Sequence, residues 1–204
     1  MSNILYLASG SKSRRKLLEE AKINFKVISQ NSLENVSTNS NNASEIVLEI
    51  AKDKMKCVDM SSVPKNGPAF ILTADSLLQG TKDKEIFGKP ENLKDAKIRL
   101  TTQYNQPILA PTGCCLEKRI FENGSWKTEK QISWTTDSIV EFEIPPNLVD
   151  QYIAEHRDII LGTAGACTIE GYSQQFLKSI NGSYSGTLGL PMYELGKNLV
   201  KIGF

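Results

Sequence analysis

Histidine is almost missing from this sequence; His156 is the only one. That excludes a histidine-rich zinc site. Its place in QYIAEHRD, at the end of a helical stretch, reads as a capping or solvated group and not as the base of a Ser-His-Asp triad. Cysteine is sparse too. Cys57, Cys114, Cys115 and Cys167 form no C-x-x-C pair, and the adjacent Cys114 and Cys115 are badly placed to bridge each other. Free thiols in a reducing compartment are the expectation. No apolar run approaches the ~18–20 residues of a membrane span, and no charged-then-apolar leader opens the chain. We therefore expect a cytoplasmic protein with no membrane partner. Net charge is nearly absent, with 24 Lys and Arg against 23 Asp and Glu. No global field draws in nucleic acid, so any anion site must be built from a few local cations. Internal repeats, an interdomain linker and a G-x-x-x-x-G-K-[ST] phosphate loop are also lacking.

What is present suits a protein with a real core: 204 residues, 40% hydrophobic and 23% charged. We read residues 1–204 as one unit, either one large domain or two small interlocked lobes. Residues 4–8 read as a buried strand and FKVI as a second. Between them Ser13 looks like a helix N-cap, with Leu17, Leu18 and Ala21 facing inward. SQNSLENVSTNSNNAS reads as a long exposed loop, and Ser44 as the cap of a helix burying Val47, Ile50, Ala51 and Val58. AFILTADSLL is a strand covered on both faces. QGTKDKEIFGKP reads as a hairpin tip and ENLKDAKIRL as a helix with Leu93, Ala96 and Leu100 inward. Residues 107–144 alternate as strands with a turn at Asn123-Gly124. PPNLVDQYIAEH starts a helix with proline. AGACTIEG reads as a strand, NGSYSG as a loop, and LPMYELGKNLVKI as the last helix. Mixing βα units with a β-meander predicts an α/β fold with a mixed central sheet flanked by helices.

Four places can carry chemistry. In LASGSKSRRKLL, Ser9, Gly10 and Ser11 stand where a strand ends and a helix begins. Backbone N–H groups are unpaired there and the helix dipole favours an anion. Gly10 admits a ligand to the backbone, and Arg14 and Arg15 add forked cations suited to phosphate. A solvated basic helix start has the same composition. Lys54 falls on the inward stripe of its helix, where an unpaired ammonium is costly; it either snorkels along the rim or reaches a buried anion. Asp75 ends the charge-free run AFILTA at the carboxyl end of a strand, where α/β sheets collect ligands. A structural aspartate capping a turn would not be followed by a resumed apolar run. Lys89 is held in the stiff turn Gly88-Lys89-Pro90, which is equally an everyday surface turn.

Taken in order, LASGSKSRRKLL, IAKDKM, TADSLL, FGKP and AGACTIEGYSQQFLKSINGSYSGTLGLPMYEL resemble the Maf (septum-formation) family of nucleoside triphosphate pyrophosphatases over nearly the whole chain. The resemblance implies two interlocked lobes with a cleft between them. It also implies cleavage of a nucleoside triphosphate between the α and β phosphates, giving monophosphate and pyrophosphate with a divalent metal, Mg²⁺ or Mn²⁺. That is nucleotide-pool cleaning, in a family linked to arrest of cell division, and a homodimer is the oligomer it allows. Position by position, Ser9, Ser11 and Arg14 match the phosphate-binding loop. Lys54 and Lys89 match lysines near the triphosphate, and Asp75 matches the carboxylate that accepts a proton.

There are departures as well. Leu33-Glu34 stands where the family has Asp-Glu, leaving Glu34 with Asp75 as candidate metal ligands. TTQYNQPILAPT replaces a Ser-Gly-x-x-His stretch, and Thr163-Ala164-Gly165 stands for Lys-Ala-Gly. Glu170-Gly171 stands for Gln-Gly, which makes Glu170 a candidate for base choice and, with S-x-x-R, points to the subgroup associated with 7-methyl-GTP. The alternatives are a different nucleotide phosphohydrolase on the same scaffold and a non-catalytic nucleotide-binding relative.

Overall fold

The computed structural model describes residues 3–33 and 40–204. Its first half is built around one unbroken apolar segment. β1 (Leu5–Leu7) and β3 (Ala69–Ser76) run parallel and side by side, and β2 (Phe25–Val27) is parallel to β1 on its other edge. α1 (Lys12–Glu20) joins β1 to β2 on one face of the sheet, packing Leu18 with Leu5, Leu7, Phe70 and Leu72. α2 (Ala43–Lys56) leads into β3 on the opposite face, packing Ala51 and Met55 against Tyr6, Ala8 and Ile71. Both faces of β1 and of the first half of β3 are thus covered, which is why Leu5–Leu7 and Ala69–Leu72 are apolar at successive positions and do not alternate. The connections that flank β1 leave toward opposite sides. A crevice therefore opens outside the carboxyl ends of β1 and β3.

β4 (Leu78–Gly80) and β5 (Ile86–Phe87) form the predicted hairpin. α3 (Leu93–Thr102), β6 (Ile108–Leu109), β7 (Thr112–Glu122), β8 (Ser125–Thr136) and β9 (Ser138–Phe142) follow. β7 and β8 turn at Asn123 and Gly124, both at positive φ, as a two-residue hairpin turn requires. They extend the first sheet to the order β2-β1-β3-β7-β8. The other sheet, β10-β9-β6-β4-β5, is antiparallel throughout, with β10 at Leu177–Gly182. The mixed sheet expected from the sequence is therefore one of two. α4 (Val149–Glu155), entered by a 3-10 turn at Pro146–Leu148, packs with α3 on the second core. There Tyr104, Phe142, Tyr152 and Phe176 meet edge to face. α5 (Tyr184–Thr187) leads to α6 (Met192–Ile202), whose Leu195, Leu199 and Ile202 return to the first core. The chain passes between the sheets at Ser76–Leu78, Leu109–Thr112, Thr136–Ser138 and Gly182–Leu190.

Several local expectations need correction. α1 is capped by Ser11, not Ser13, and α2 by Asn42, not Ser44. Both segments offer a run of short polar side chains, and the residue that caps is the one whose oxygen reaches a free N–H. Ala21 is exposed past the end of α1. AFILTADSLL is cut at Leu77, because its two ends belong to different sheets. AGACTIEG is not a strand. Gly165 and Ala166 have φ of 61° and 57°, and the Tyr104 hydroxyl donates to the Gly165 carbonyl at 2.8 Å. β10 occupies the start of the stretch read as a loop at NGSYSG. Most of the polar run beginning at Ser29 is irregular or lies outside the described residues. His156 does cap α4, but it is buried and not solvated. Its Nδ1 donates to the Tyr152 carbonyl at 2.9 Å, so Nε2 accepts from the Ser173 hydroxyl at 2.9 Å. Among the described residues no helix is long and apolar enough to cross a membrane.

Candidate functional site

The crevice at the carboxyl ends of β1 and β3 collects most of the residues singled out above. Ser9 to Ser11 follow β1 directly. The Ser9 hydroxyl accepts from Ser11 N–H at 3.3 Å, and the Ser11 hydroxyl accepts from Arg14 N–H at 3.4 Å. Gly10 is exposed, and no atom lies within 4 Å of where its Cβ would stand. This is an open backbone face at a helix start, the arrangement that receives anions. Beside it a cavity of about 390 Å³ is lined by Ser9, Gly10 and residues 27–30.

Across the crevice, Asp75 sits near the end of β3 and is 9% exposed; Lys54 of α2 is 6% exposed. The ammonium donates to Asp75 Oδ1 at 2.7 Å. Lys54 thus does not snorkel: its head reaches a buried anion, and that anion is Asp75. The pairing depends on how closely α2 approaches the sheet. Asp75 is opposite Gly113 in the β3–β7 register. A Cβ on Gly113 would stand 2.5 Å from the backbone carbonyl of Val47 in α2. Only a residue without Cβ lets α2 lie so low, and Lys54 is two turns along from Val47. Asp75 Oδ2 makes no hydrogen bond among the described residues, so it remains available to a water or a cation.

Arg14 is 8% exposed and points inward, not into solvent. Nε donates to the Gly189 carbonyl at 2.7 Å, Nη1 to Ser9 Oγ at 3.0 Å, and Nη2 to Ser76 Oγ at 3.2 Å. Lys89 is exposed in the strap after β5. Neighbouring Gly88 is fixed there by Gly165 N–H and Arg99 Nη1 at its carbonyl, 2.8 and 3.2 Å. Glu170 lies in the other lobe, just before a 3-10 turn at Gly171–Phe176, and reaches back to Lys16 of α1 at 2.7 Å. That carboxylate raises the Lys16 pKa through the hydrogen bond first and the charge second. Glu34 lies outside the described residues.

Among the described residues no three His, Cys, Asp or Glu side chains cluster as a metal site. Among the described residues, which do not include Glu34, no preformed protein cage for a metal lines this crevice. A magnesium-type ion held by one carboxylate and the phosphate oxygens of a ligand does fit, because such ions commonly take only one or two carboxylates from the protein. The sequence reading passed over Ser76, Thr112, Gly113 and Gly189. Ser76 and Gly189 lie in stretches that carry the resemblance and Thr112 ends one that departs from it, but what each touches depends on tertiary structure.

Together these features define an α/β protein with a polar site at the carboxyl edge of a doubly wound sheet. The chain belongs to the Maf family: the family model described as Maf-like protein matches residues 4–202. It is similar to a dTTP/UTP pyrophosphatase of Fusobacterium nucleatum subsp. nucleatum, 28% identical over 98% of this chain and 96% of that protein. A dTTP/UTP pyrophosphatase of Lawsonia intracellularis is 31% identical over 97% and 83%. A nucleoside triphosphate pyrophosphatase of Prochlorococcus marinus is 32% identical over 97% and 98%. The first two names belong to the subgroup that Glu170-Gly171 points away from.

Proposed function

We propose that this protein hydrolyses the α–β anhydride of a nucleoside triphosphate, releasing monophosphate and pyrophosphate. The observation that supports this best is the buried Lys54–Asp75 pair at the mouth of the crevice, in a chain whose relatives bear pyrophosphatase names. The N–H groups and hydroxyls of Ser9 and Ser11, with the start of α1, receive phosphate oxygens. Lys54 holds Asp75 in place and offsets charge on the phosphate chain. Asp75 takes a proton from the attacking water at Oδ2, the oxygen that Lys54 leaves open. Lys89, on its exposed turn, closes on the phosphates from the other lobe, and Glu170 faces the base. A divalent cation supplies charge neutralisation and would be held by Asp75 and the phosphates themselves. Arg14 shapes the phosphate loop through Ser9.

A panel of triphosphates including dTTP, UTP and 7-methyl-GTP, with Mg²⁺ or Mn²⁺, tests the reading. Pyrophosphate should appear with at least one of them, stop with a chelator, and resume when the metal is restored. Orthophosphate in place of pyrophosphate would make the protein a different phosphohydrolase. Nucleotide binding without turnover would make it a non-catalytic relative.

A further inference from the structure

Ser76 and Thr112 are partners in the β3–β7 register. One stands where the chain leaves the first sheet, the other where it returns. Their hydroxyl oxygens are 2.7 Å apart. The direction of that bond follows from its neighbours. The Gly186 carbonyl, 2.9 Å from Thr112 Oγ1, can only accept, so the threonine proton goes there. Ser76 must then donate to Thr112. A guanidinium can only donate, so Ser76 accepts from Arg14 Nη2. The result is a chain of single polarity, Arg14 to Ser76 to Thr112 to the Gly186 carbonyl. Gly189, at φ 99°, turns its own carbonyl back to Arg14 Nε. A further passage between the sheets is pinned by its own pair of bonds: Ser138 Oγ donates to the Ser183 carbonyl and accepts from Ser183 N–H. Thr112 is 1% exposed, so water does not compete for its bonds.

We propose that Thr112 is a positioning residue for the phosphate loop. Its hydroxyl fixes the orientation of Ser76, Ser76 orients the Arg14 guanidinium, and Arg14 holds Ser9 at the loop mouth. Thr112 itself touches no substrate. The proposal rests on the pyrophosphatase reading for its kinetic form, and on anion binding alone for its other form. Valine matches threonine in shape, so Thr112→Val removes the hydroxyl alone, and with it both the bond from Ser76 and the bond to the Gly186 carbonyl. Loss of one orienting hydrogen bond should raise KM about tenfold and weaken inorganic pyrophosphate binding, measured by calorimetry, by about the same factor. Turnover at saturation should stay within about threefold, and Thr112→Ser should restore both constants. Ser76→Ala with Thr112→Val should cost no more than Ser76→Ala alone, because one chain is cut either way. Unchanged KM and pyrophosphate affinity in Thr112→Val, whatever its melting temperature, overturns the proposal. So do additive effects or a failed serine rescue. If Thr112→Val does not fold, Ser76→Ala carries the same prediction and the same refutation. A parent that binds pyrophosphate without cleaving any triphosphate refutes the enzymatic reading, and the calorimetry still decides the role of Thr112. A parent that binds neither pyrophosphate nor triphosphate overturns both.

Discussion

At the scale of single residues, Asp75 and Lys54 have to be judged together. Asp75→Asn keeps the shape but can neither accept a proton nor offset a cation. Turnover should fall by ~10²–10⁴, the usual worth of a general base. Nucleotide affinity, measured on the same variant, should hold or rise, because a negative charge near the phosphates is gone. A variant still turning over within a few-fold of the parent would make Asp75 structural. Judged from the sequence, methionine is a neutral filler for Lys54. The ion pair changes that expectation, since Lys54→Met leaves a buried carboxylate without its counter-charge. We expect it to cost about 3–5 kcal/mol in chemical denaturation. Adding Asp75→Asn should return much of that loss, although activity stays low. Lys54→Met with parental stability would show that the pair is not held as tightly as its geometry indicates.

At the scale of elements, the site exists because α2 lies unusually close to β7. Gly113 permits this, and the neighbouring atoms are backbone, which cannot rotate away. Gly113→Ala should therefore push α2 outward, costing about 1–3 kcal/mol as other overpacking substitutions do. Turnover should fall as well, because Lys54 travels with the helix. Gly10→Ala is the control: its Cβ meets nothing, so stability should stay within about 0.5 kcal/mol. Equal melting temperatures for the two variants would contradict this account. Pairing across the β7–β8 hairpin follows the same logic of satisfied burial. Glu117, 4% exposed, accepts from Arg119 Nε and Gln131 Nε2, both at 2.6 Å.

At the scale of the whole molecule, two cores joined by four passages bury thiols that the mechanism does not use. Burial pushes Cys114 and Cys115 from an ordinary value of 9.0 to about 12. Below pH 9 both folded and unfolded chains keep these protons. Between about 9 and 12 the unfolded chain releases them and the native one does not, so stability falls as pH rises. The slope is at most about 1.4 kcal/mol per pH unit for each thiol. Urea midpoints should be level from pH 7 to about 9 and decline by pH 10, and Cys114→Ala should flatten that decline. A midpoint that holds level through pH 10 would mean that the thiols are not shielded in solution.

The sequence by itself determined the pieces whose physics is local. The unbroken apolar run of β3, the helical stripes of α2 and α6, the Asn123-Gly124 turn and the charge at the end of a strand follow from periodicity and backbone preference over a few residues. So does the open loop at Ser9–Ser11, where a strand must hand over to a helix. Tertiary structure alone decided which of these pieces meet. Lys54 finds Asp75 across 21 positions and Arg14 finds Gly189 across 175. Glu170 lies against Lys16 on the far lobe's helix. Thr112 faces Ser76 only because β7 pairs with β3 in one register, and a slip of one residue would turn its hydroxyl to the other face. AGACTIEG has the composition of a strand, yet the Tyr104 hydroxyl and the positive φ of Gly165 and Ala166 bend it into turns. Register and the order of strands depend on the summed packing of two cores, and no window of sequence contains that sum.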